Sequence, residues 1–360
     1  MSKKNIWLFG DFSGYHKAIN DILCESDEYT PVLVSSGDGW KGIMHNGISL
    51  RRRGGALTSF LFKLYDLYRL YWSIPKDIGA SQLMNPIFIT ESSIVNYLFF
   101  RKIRKNSRKV VLICAGTDAL LWNYAKNYKY SYITNQIKAE PKKKHLWARW
   151  HRALLNQYIA KRVDSIVPTM YEYNMPYIKF TNTRNYVLLP CPVDEFKKYP
   201  SFNPKVKEKL VFFHGVTRPH FKGSYFIKDA FQKASEIYGD KAEFIISEKM
   251  PYKEYLKAIK RADVIVDQCL SYSYGINAIL ALASGKICFS GAESIAIKNM
   301  NIIDCPIINI LPSGEQILNE IGTILEKDSL ELNQLKLLGL KYVQKYHSPE
   351  LIQKQLSSYW

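Results

Sequence analysis

Two stretches in the second half of the sequence combine the residue types that bind phosphate groups. In the first, the apolar run Leu210–Phe213 leads into the loop His-Gly-Val-Thr-Arg-Pro-His-Phe-Lys-Gly at 214–223. A diphosphate is bound by cations, by backbone N–H groups and by a glycine that permits close approach, and the helix predicted to follow adds its N-terminus. The residues predicted to bind phosphate here are Gly215, Arg218, Lys222 and Gly223, and ordinary loop cations are the alternative for Arg218 and Lys222.

The second stretch has the same plan of a strand, a loop with small residues and a helix. The predicted strand Val264–Asp267 is followed by a loop and by a helical pattern that ends near Ser284. Asp267, at the strand end, and Glu293, beyond the next strand, can accept hydrogen bonds from ligand hydroxyls, although structural roles for both remain open. The backbone N–H groups expected to face the ligand belong to Tyr274, Gly275, Ile276 and Asn277.

In the first half, two loops that follow predicted strands carry further candidates. The loop Gly10–Gly14 has small residues that let the backbone approach a sugar or a phosphate, and Gly14 is its candidate binding residue. A plain tight turn explains the same pattern. Asp118, at the end of the loop that begins at Ala115, is a candidate N-cap of the following helix.

These loops need alternating strands and helices to position them, and the sequence predicts that alternation in both halves. In the first half, the predicted strands are Ile6–Phe9, Tyr29–Val34, Pro86–Thr90, Lys109–Cys114 and Ser165–Pro168, and the stretch at 145–163 is amphipathic. Repeated strand–helix units indicate a doubly wound parallel sheet, so the fold class is α/β. The same pattern restarts at Leu210 and continues to Ser290.

The length of 360 residues suits two domains better than one. Prolines at 190, 192, 200 and 204 mark a linker at about 191–209. We therefore expect a first Rossmann-like domain at 1–195 and a second one at 196–340. A helical tail at 341–360 is expected to pack back on the first domain.

The region 210–293 resembles retaining glycosyltransferases of the GT-B fold, in the group that builds bacterial capsules, O-antigens and other lipid-linked glycans. The resemblance implies two Rossmann-like domains that face a central cleft. It also implies that Arg218 and Lys222 hold the diphosphate of a UDP- or GDP-linked sugar donor. The donor is a co-substrate, and enzymes of this group typically need no metal or other cofactor. The segment Ala115–Asp118 resembles the group's His-Gly-Ser-Asp segment, which implies that Asp118 is a polar residue on the acceptor side. Asp118, Arg218 and Lys222 are thus the predicted catalytic residues.

The sequence departs from this group at a pair of glutamates that contact the donor. The two positions, eight residues apart and on either side of Gly275, hold Tyr272 and Leu280 here. In the segment 115–118, Ala115 stands where the group has a histidine, so no general base is predicted. The usual carboxylate contacts to the donor sugar and its ribose are therefore missing at these positions.

The net charge of +18 lies mainly in the first half, where residues 1–200 carry a net charge of +15. Basic runs such as Arg51–Arg53 adjoin apolar, aromatic segments near 57–72 and 94–100, a combination that suits the surface of an anionic membrane. Core helices and a solvated face are the alternatives. Neither segment is long and apolar enough to span a bilayer. We expect no nucleic acid as a partner, because no nucleic-acid-binding motif is present.

The resemblance to this group of glycosyltransferases implies a hexosyltransferase that acts on a hydroxyl of a lipid-linked or polysaccharide acceptor. The chain shows no secretory signal, which predicts a cytoplasmic enzyme at the inner face of the cell membrane. Six scattered cysteines and seven histidines show no metal-ligand spacing, so no metal site is expected. A sugar-nucleotide epimerase and a non-catalytic protein that binds nucleotide sugars or glycans are the alternatives.

Overall fold

The computed structural model describes residues 3–36, 47–50, 56–142, 145–197, 209–216, 219–248 and 252–360. The chain folds into two compact units. The first unit comprises Met1–Asn123, Lys144–Val193 and Pro349–Trp360, and the second comprises Tyr124–Lys143 and Asp194–Ser348. The sequence had not indicated that a segment of the first half, Tyr124–Lys143, groups with the second unit.

The described strands, in chain order, are β1 Lys4–Phe9, β2 Tyr29–Ser35, β3 Ile48–Ser49, β4 Ile78–Leu83, β5 Ser107–Cys114, β6 Ser165–Pro168, β7 Leu210–Val216, β8 Ala242–Glu248, β9 Val264–Val266, β10 Ile287–Ser290 and β11 Ile308–Asn309. They form two sheets in which all pairs are parallel. The first sheet has the order β3-β2-β1-β4-β5-β6, and the second has the order β11-β10-β9-β7-β8. Each unit is thus a doubly wound α/β domain, as predicted.

The helices of the first half are α1 Tyr15–Cys24, α2 Ala56–Ser73, α3 Ser93–Asn106, α4 Ala119–Tyr124, α5 Tyr132–Ala139, α6 Trp150–Ala160, α7 Tyr171–Asn174 and α8 Val193–Lys197. Those of the second half are α9 Pro219–Lys222, α10 Ser224–Tyr238, α11 Tyr252–Arg261, α12 Ile276–Ala283, α13 Ser294–Asn299, α14 Gly314–Leu325, α15 Ser329–His347 and α16 Pro349–Ser357. Short 3-10 turns lie at Ala125–Asn127, Leu146–Ala148 and Met175–Tyr177. None of the helices, over the residues described, is long and apolar enough to cross a bilayer.

The prediction of a strand at Pro86–Thr90 was wrong. The strand between β1 and β5 in the first sheet is β4, which spans Ile78–Leu83. This strand was missed because its buried side chains include Ser81 and Gln82 among the apolar ones. Both side chains form hydrogen bonds inside the unit. The Ser81 hydroxyl lies 2.8 Å from the Ser107 hydroxyl, and Gln82 Nε2 lies 2.9 Å from His16 Nε2. A polar residue in a central strand is tolerated when its hydrogen bonds are made internally.

The C-terminal tail is part of the first unit through α16 and the residues that follow it. Trp360 is 8 % exposed, its Nε1 donates to Gln82 Oε1 at 3.1 Å, and its ring meets the edge of Tyr29. Ile352 and Leu356 of α16 are fully buried. The tail therefore packs against residues of β2 and β4 in the first unit.

We predict that Trp360→Ala lowers the free energy of unfolding by about 3–5 kcal/mol, because it empties a buried site and leaves the Gln82 carbonyl without its donor. Denaturant unfolding would measure the loss. The matched control is Trp150→Ala, since Trp150 is 74 % exposed and its removal should cost less than about 1 kcal/mol. Equal losses in the two variants would contradict the buried docking of the tail.

Candidate functional site

The strand order of the second sheet places the predicted site at one edge. Strand β7 pairs with β8 on one side and with β9 on the other, so the chain connections diverge between β7 and β9. In open parallel sheets, ligands bind outside the carboxyl ends of the strands at such a point. Gly215 lies at the carboxyl end of β7, Asp267 follows β9, and Glu293 follows β10.

A buried ion pair joins the loops that follow β7 and β9. Lys222, at the end of α9, is only 5 % exposed, and its Nζ lies 2.8 Å from Asp267 Oδ1 and 2.9 Å from the carbonyl oxygen of Gly215. The Asp267 side chain is also buried. Each charge is compensated by a partner, as charges removed from water must be. Three of the predicted binding residues, Gly215, Lys222 and Asp267, are therefore in direct contact.

The start of α12 is tied to the same ion pair. Asn277 Nδ2 donates to Asp267 Oδ1 at 3.4 Å, which places the first turn of the helix beside the end of β9. Gly275 is extended and precedes the helix without a side-chain cap. The first amides of a helix have no intrahelical acceptor, and the helix dipole adds positive potential there. The backbone of Ile276 and Asn277 is therefore suited to an anionic ligand.

His214 and Gly223 fix the loop between β7 and α10. His214 is fully buried, with Nδ1 2.7 Å from the Val266 carbonyl oxygen and Nε2 2.9 Å from the Ser224 hydroxyl. Burial, together with the nearby Lys222 ammonium, lowers the pKa of His214 to about 4. Gly223 has a φ of +73°, and a Cβ there would lie 2.5 Å from the sulfur of Cys269. Only glycine fits this position without strain.

The side chain of Tyr274 is directed into the unit's interior. Its hydroxyl lies 2.5 Å from that of Tyr342 and 3.0 Å from His347 Nε2. Burial raises the pKa of Tyr274 well above its ordinary value, so the hydroxyl stays protonated. Tyr274 therefore anchors the loop before α12 to α15, and only its backbone is available to a ligand.

Glu293 lies beside Tyr272, the residue at the first of the two positions where the group that the sequence resembles has a glutamate. Its backbone N–H donates to the carbonyl oxygen of Tyr272 at 2.9 Å. Its carboxylate accepts from the hydroxyl of Tyr130 at 2.5 Å. The Tyr130 and Tyr272 rings stack, with centroids 4.9 Å apart and planes tilted by 22°.

Tyr130, which donates to Glu293, belongs to the segment Tyr124–Lys143. No sequence pattern had connected this segment with the site. Tyr132 in the same segment donates its N–H to the Leu270 carbonyl oxygen at 3.0 Å, and its ring lies 4.0 Å from that of Phe221. The signal that could have identified the segment is its run of tyrosines at 124, 128, 130 and 132.

The candidates of the first half lie in the first unit. Gly14 has a φ of +83° and precedes α1. Asp118 is buried, and its carboxylate accepts from the Leu121 N–H at 2.8 Å and from the Tyr177 hydroxyl at 2.7 Å. Burial raises the pKa of Asp118. The contact with Leu121 is that of a helix N-cap, and the catalytic role of Asp118 stays a prediction.

Two of the predicted groups fall outside the described residues. They are Arg218 and the basic run Arg51–Arg53. The phosphate contact assigned to Arg218 therefore rests on the sequence. Leu280, at the second glutamate position, lies in α12. Among the described residues, no group of three or more His, Cys, Asp and Glu side chains is arranged to hold a metal ion.

We predict that Lys222→Met lowers the free energy of unfolding by about 3–5 kcal/mol, because the carboxylate of Asp267 stays buried without a counter-charge. The control is Lys233→Met on α10, whose partner Asp229 is half exposed, so its loss should be under about 1 kcal/mol. Denaturant unfolding measures both. A second change, Asp267→Leu, should recover part of the loss, and equal effects at Lys222 and Lys233 would contradict the prediction.

No protein-family model and no curated protein matches the chain. Solved structures match it over nearly its whole length. Sucrose-phosphate synthase from Thermosynechococcus elongatus is 15 % identical with a TM-score of 0.63, and covers 99 % of this chain and 98 % of its own. HepE from Anabaena, solved with UDP-glucose, is 12 % identical with a TM-score of 0.59, and 99 % of each chain is covered.

A third similar structure belongs to a different enzyme class. A UDP-N-acetylglucosamine 2-epimerase is 10 % identical with a TM-score of 0.50, and the match covers 99 % of this chain and 95 % of the epimerase. Identities this low show a shared fold. With its two parallel-sheet units, each doubly wound, the chain has the GT-B fold.

Proposed function

We propose that the protein is a glycosyltransferase that transfers a sugar from a nucleoside-diphosphate donor, UDP- or GDP-linked, to a hydroxyl group. The observation that carries this proposal is the convergence, at one sheet edge, of the glycine loop after β7, the buried Lys222–Asp267 pair and the start of α12. In HepE, a protein of the same fold is bound to UDP-glucose. The proposed donor-binding residues are those at this edge.

Charge that develops on the departing diphosphate would be stabilised mainly by the backbone. The N–H groups at the start of α12 are fixed before the ligand arrives, and fixed dipoles stabilise a leaving group without reorganisation. Lys222 would contribute its positive charge from behind the loop while it holds the Gly215 carbonyl. Arg218, which the sequence places in the same loop, would contact the phosphates directly. Retention of the anomeric configuration is part of the proposal.

The acceptor would be lipid-linked or a polysaccharide, held by the first unit at an anionic membrane surface. This part of the proposal is supported by large apolar side chains that α2 and α3 of that unit expose. Tyr68 and Trp72 are each 65 % exposed. Lys102 of α3 lies 4.8 Å from the Trp72 ring. Exposed aromatic residues beside cations suit the headgroup region of a bilayer.

A sugar-nucleotide epimerase is the second candidate, and the fold shared with the 2-epimerase favours it. An epimerase would interconvert two nucleotide sugars and release no nucleotide in proportion to an acceptor. A non-catalytic binding protein would bind the nucleotide sugar without turnover. Measuring nucleotide release with and without a glycan acceptor separates these outcomes from glycosyl transfer.

We predict that Ile276→Pro weakens nucleotide binding about 10- to 100-fold, because it removes one backbone N–H from the start of α12. Proline is well tolerated at the first position of a helix, and the extended Gly275 before it is compatible with proline. Titration calorimetry with UDP, GDP, CDP, TDP and ADP would identify the nucleotide and measure the loss.

The matched control for this experiment is Ile276→Val, which keeps the N–H and a branched apolar side chain. It should bind the nucleotide within about twofold of the unchanged protein. A proline variant that folds and binds as tightly as the valine variant would exclude the start of α12 as the diphosphate site. Failure of the unchanged protein to bind any nucleotide would contradict the proposed function itself.

We predict that the double change Tyr68→Ser and Trp72→Ser weakens binding to vesicles that contain anionic lipid at least tenfold, because two exposed aromatic side chains are lost. Vesicle sedimentation would measure this. The control is Leu330→Ser with Leu338→Ser, two exposed apolar positions of α15 in the second unit. If both double variants bind the vesicles equally well, the surface that contacts the membrane does not include α2.

A further inference from the structure

Glu293 is a half-buried carboxylate of the second unit, and both its backbone and its side chain are fixed by hydrogen bonds. Its N–H is bound by the Tyr272 carbonyl oxygen, and its Oε1 accepts from the Tyr130 hydroxyl at 2.5 Å. A hydroxyl–carboxylate hydrogen bond of this length is charge-assisted and strong. The loop before it is equally constrained, since a Cβ at Gly291 would lie 1.9 Å from the Ser271 carbonyl oxygen.

Tyr130 is itself held by contacts on either side of it along the chain. Its ring stacks on Tyr272, and the N–H of Lys129 donates to the Tyr272 hydroxyl at 3.0 Å. Two residues later, the N–H of Tyr132 donates to the Leu270 carbonyl oxygen at 3.0 Å. The segment Tyr124–Lys143 thus docks on the loop between β9 and α12 and presents the Tyr130 hydroxyl to Glu293.

With respect to the residues that the structure describes, the Glu293 carboxylate keeps most of its capacity to accept hydrogen bonds. An ionised carboxylate has about four lone-pair sites, and Tyr130 occupies one of them, on Oε1. A side chain that is already oriented loses less conformational entropy when a ligand binds. A fixed carboxylate at this sheet edge is therefore prepared to accept hydroxyl groups, and its negative charge disfavours an anionic group at the same place.

We propose that Tyr130 is a positioning residue that orients Glu293 to accept hydrogen bonds from the hydroxyls of a neutral donor sugar. This inference rests on the proposed function, because it assumes that the donor binds at the sheet edge formed by β7, β9 and β10. It assigns to Tyr130 and Glu293 together the sugar contact that Tyr272 and Leu280 do not supply. It also specifies the donor class as a hydroxyl-bearing sugar without a carboxylate.

The test compares Tyr130→Phe, Glu293→Gln and the double variant by calorimetry with UDP, UDP-glucose and UDP-glucuronic acid. GDP and GDP-mannose replace UDP and UDP-glucose if the guanine nucleotide is the one bound. Tyr130→Phe keeps the ring stack and removes only the hydroxyl, so it should weaken UDP-glucose binding about tenfold and leave UDP binding within about twofold. The control is Tyr225→Phe, since Tyr225 is an exposed tyrosine of α10.

If Tyr130 acts through Glu293, Tyr130→Phe should cause no further loss in the Glu293→Gln background. Glu293→Gln should also narrow the preference for UDP-glucose over UDP-glucuronic acid, or for GDP-mannose over GDP-mannuronic acid, a change that a purely structural role would not produce. Equal losses for the nucleotide and its sugar form, or additive losses in the double variant, would overturn the inference and leave the proposed function intact. If no nucleotide binds the unchanged protein, both fail.

Discussion

The ammonium group of Lys222 is removed from water and held between the Gly215 carbonyl and the Asp267 carboxylate. These two oxygens lie at the ends of different strands, β7 and β9, so the ion pair fixes the distance between the two loops that form the candidate site. Asn277 donates a hydrogen bond to the same carboxylate and so holds the first turn of α12 beside the end of β9. A buried charge that loses its partner is costly, and this cost makes the local arrangement cooperative. The backbone groups offered to a ligand depend on it.

A cation in a glycine loop after a strand is usually expected to touch the ligand, and the sequence of Lys222 and Gly223 suggested that role. In the structure, the ammonium group contacts two protein oxygens, the Gly215 carbonyl and the Asp267 carboxylate. Binding by backbone N–H groups is less dependent on side-chain identity than binding by cations. The phosphate contacts proposed for the start of α12 therefore depend on backbone geometry more than on side-chain identity.

The parts of the fold that the sequence predicted are those with strong local patterns. Strand β7 begins with the apolar run Leu210–Phe213, and the helical period of α10 is regular, so both were located to within a few residues. Strand β4 was missed because Ser81 and Gln82 interrupt its apolar pattern, and their hydrogen bonds come from residues distant in the sequence. The contact between Tyr130 and Glu293 spans 163 residues. No local pattern can reveal such a pair.

The two units are interleaved along the chain, and this constrains the order in which they can be completed during synthesis. The segment Tyr124–Lys143 emerges from the ribosome before the loops on which Tyr130 and Tyr132 dock. Conversely, α16 and Trp360, which complete the core of the first unit, follow the whole of the second unit. Domains that are continuous in sequence can fold one after another as they are translated. In this chain, each unit includes a segment that is translated after part of the other unit. The final contacts of the first unit therefore form only after the second unit has been translated.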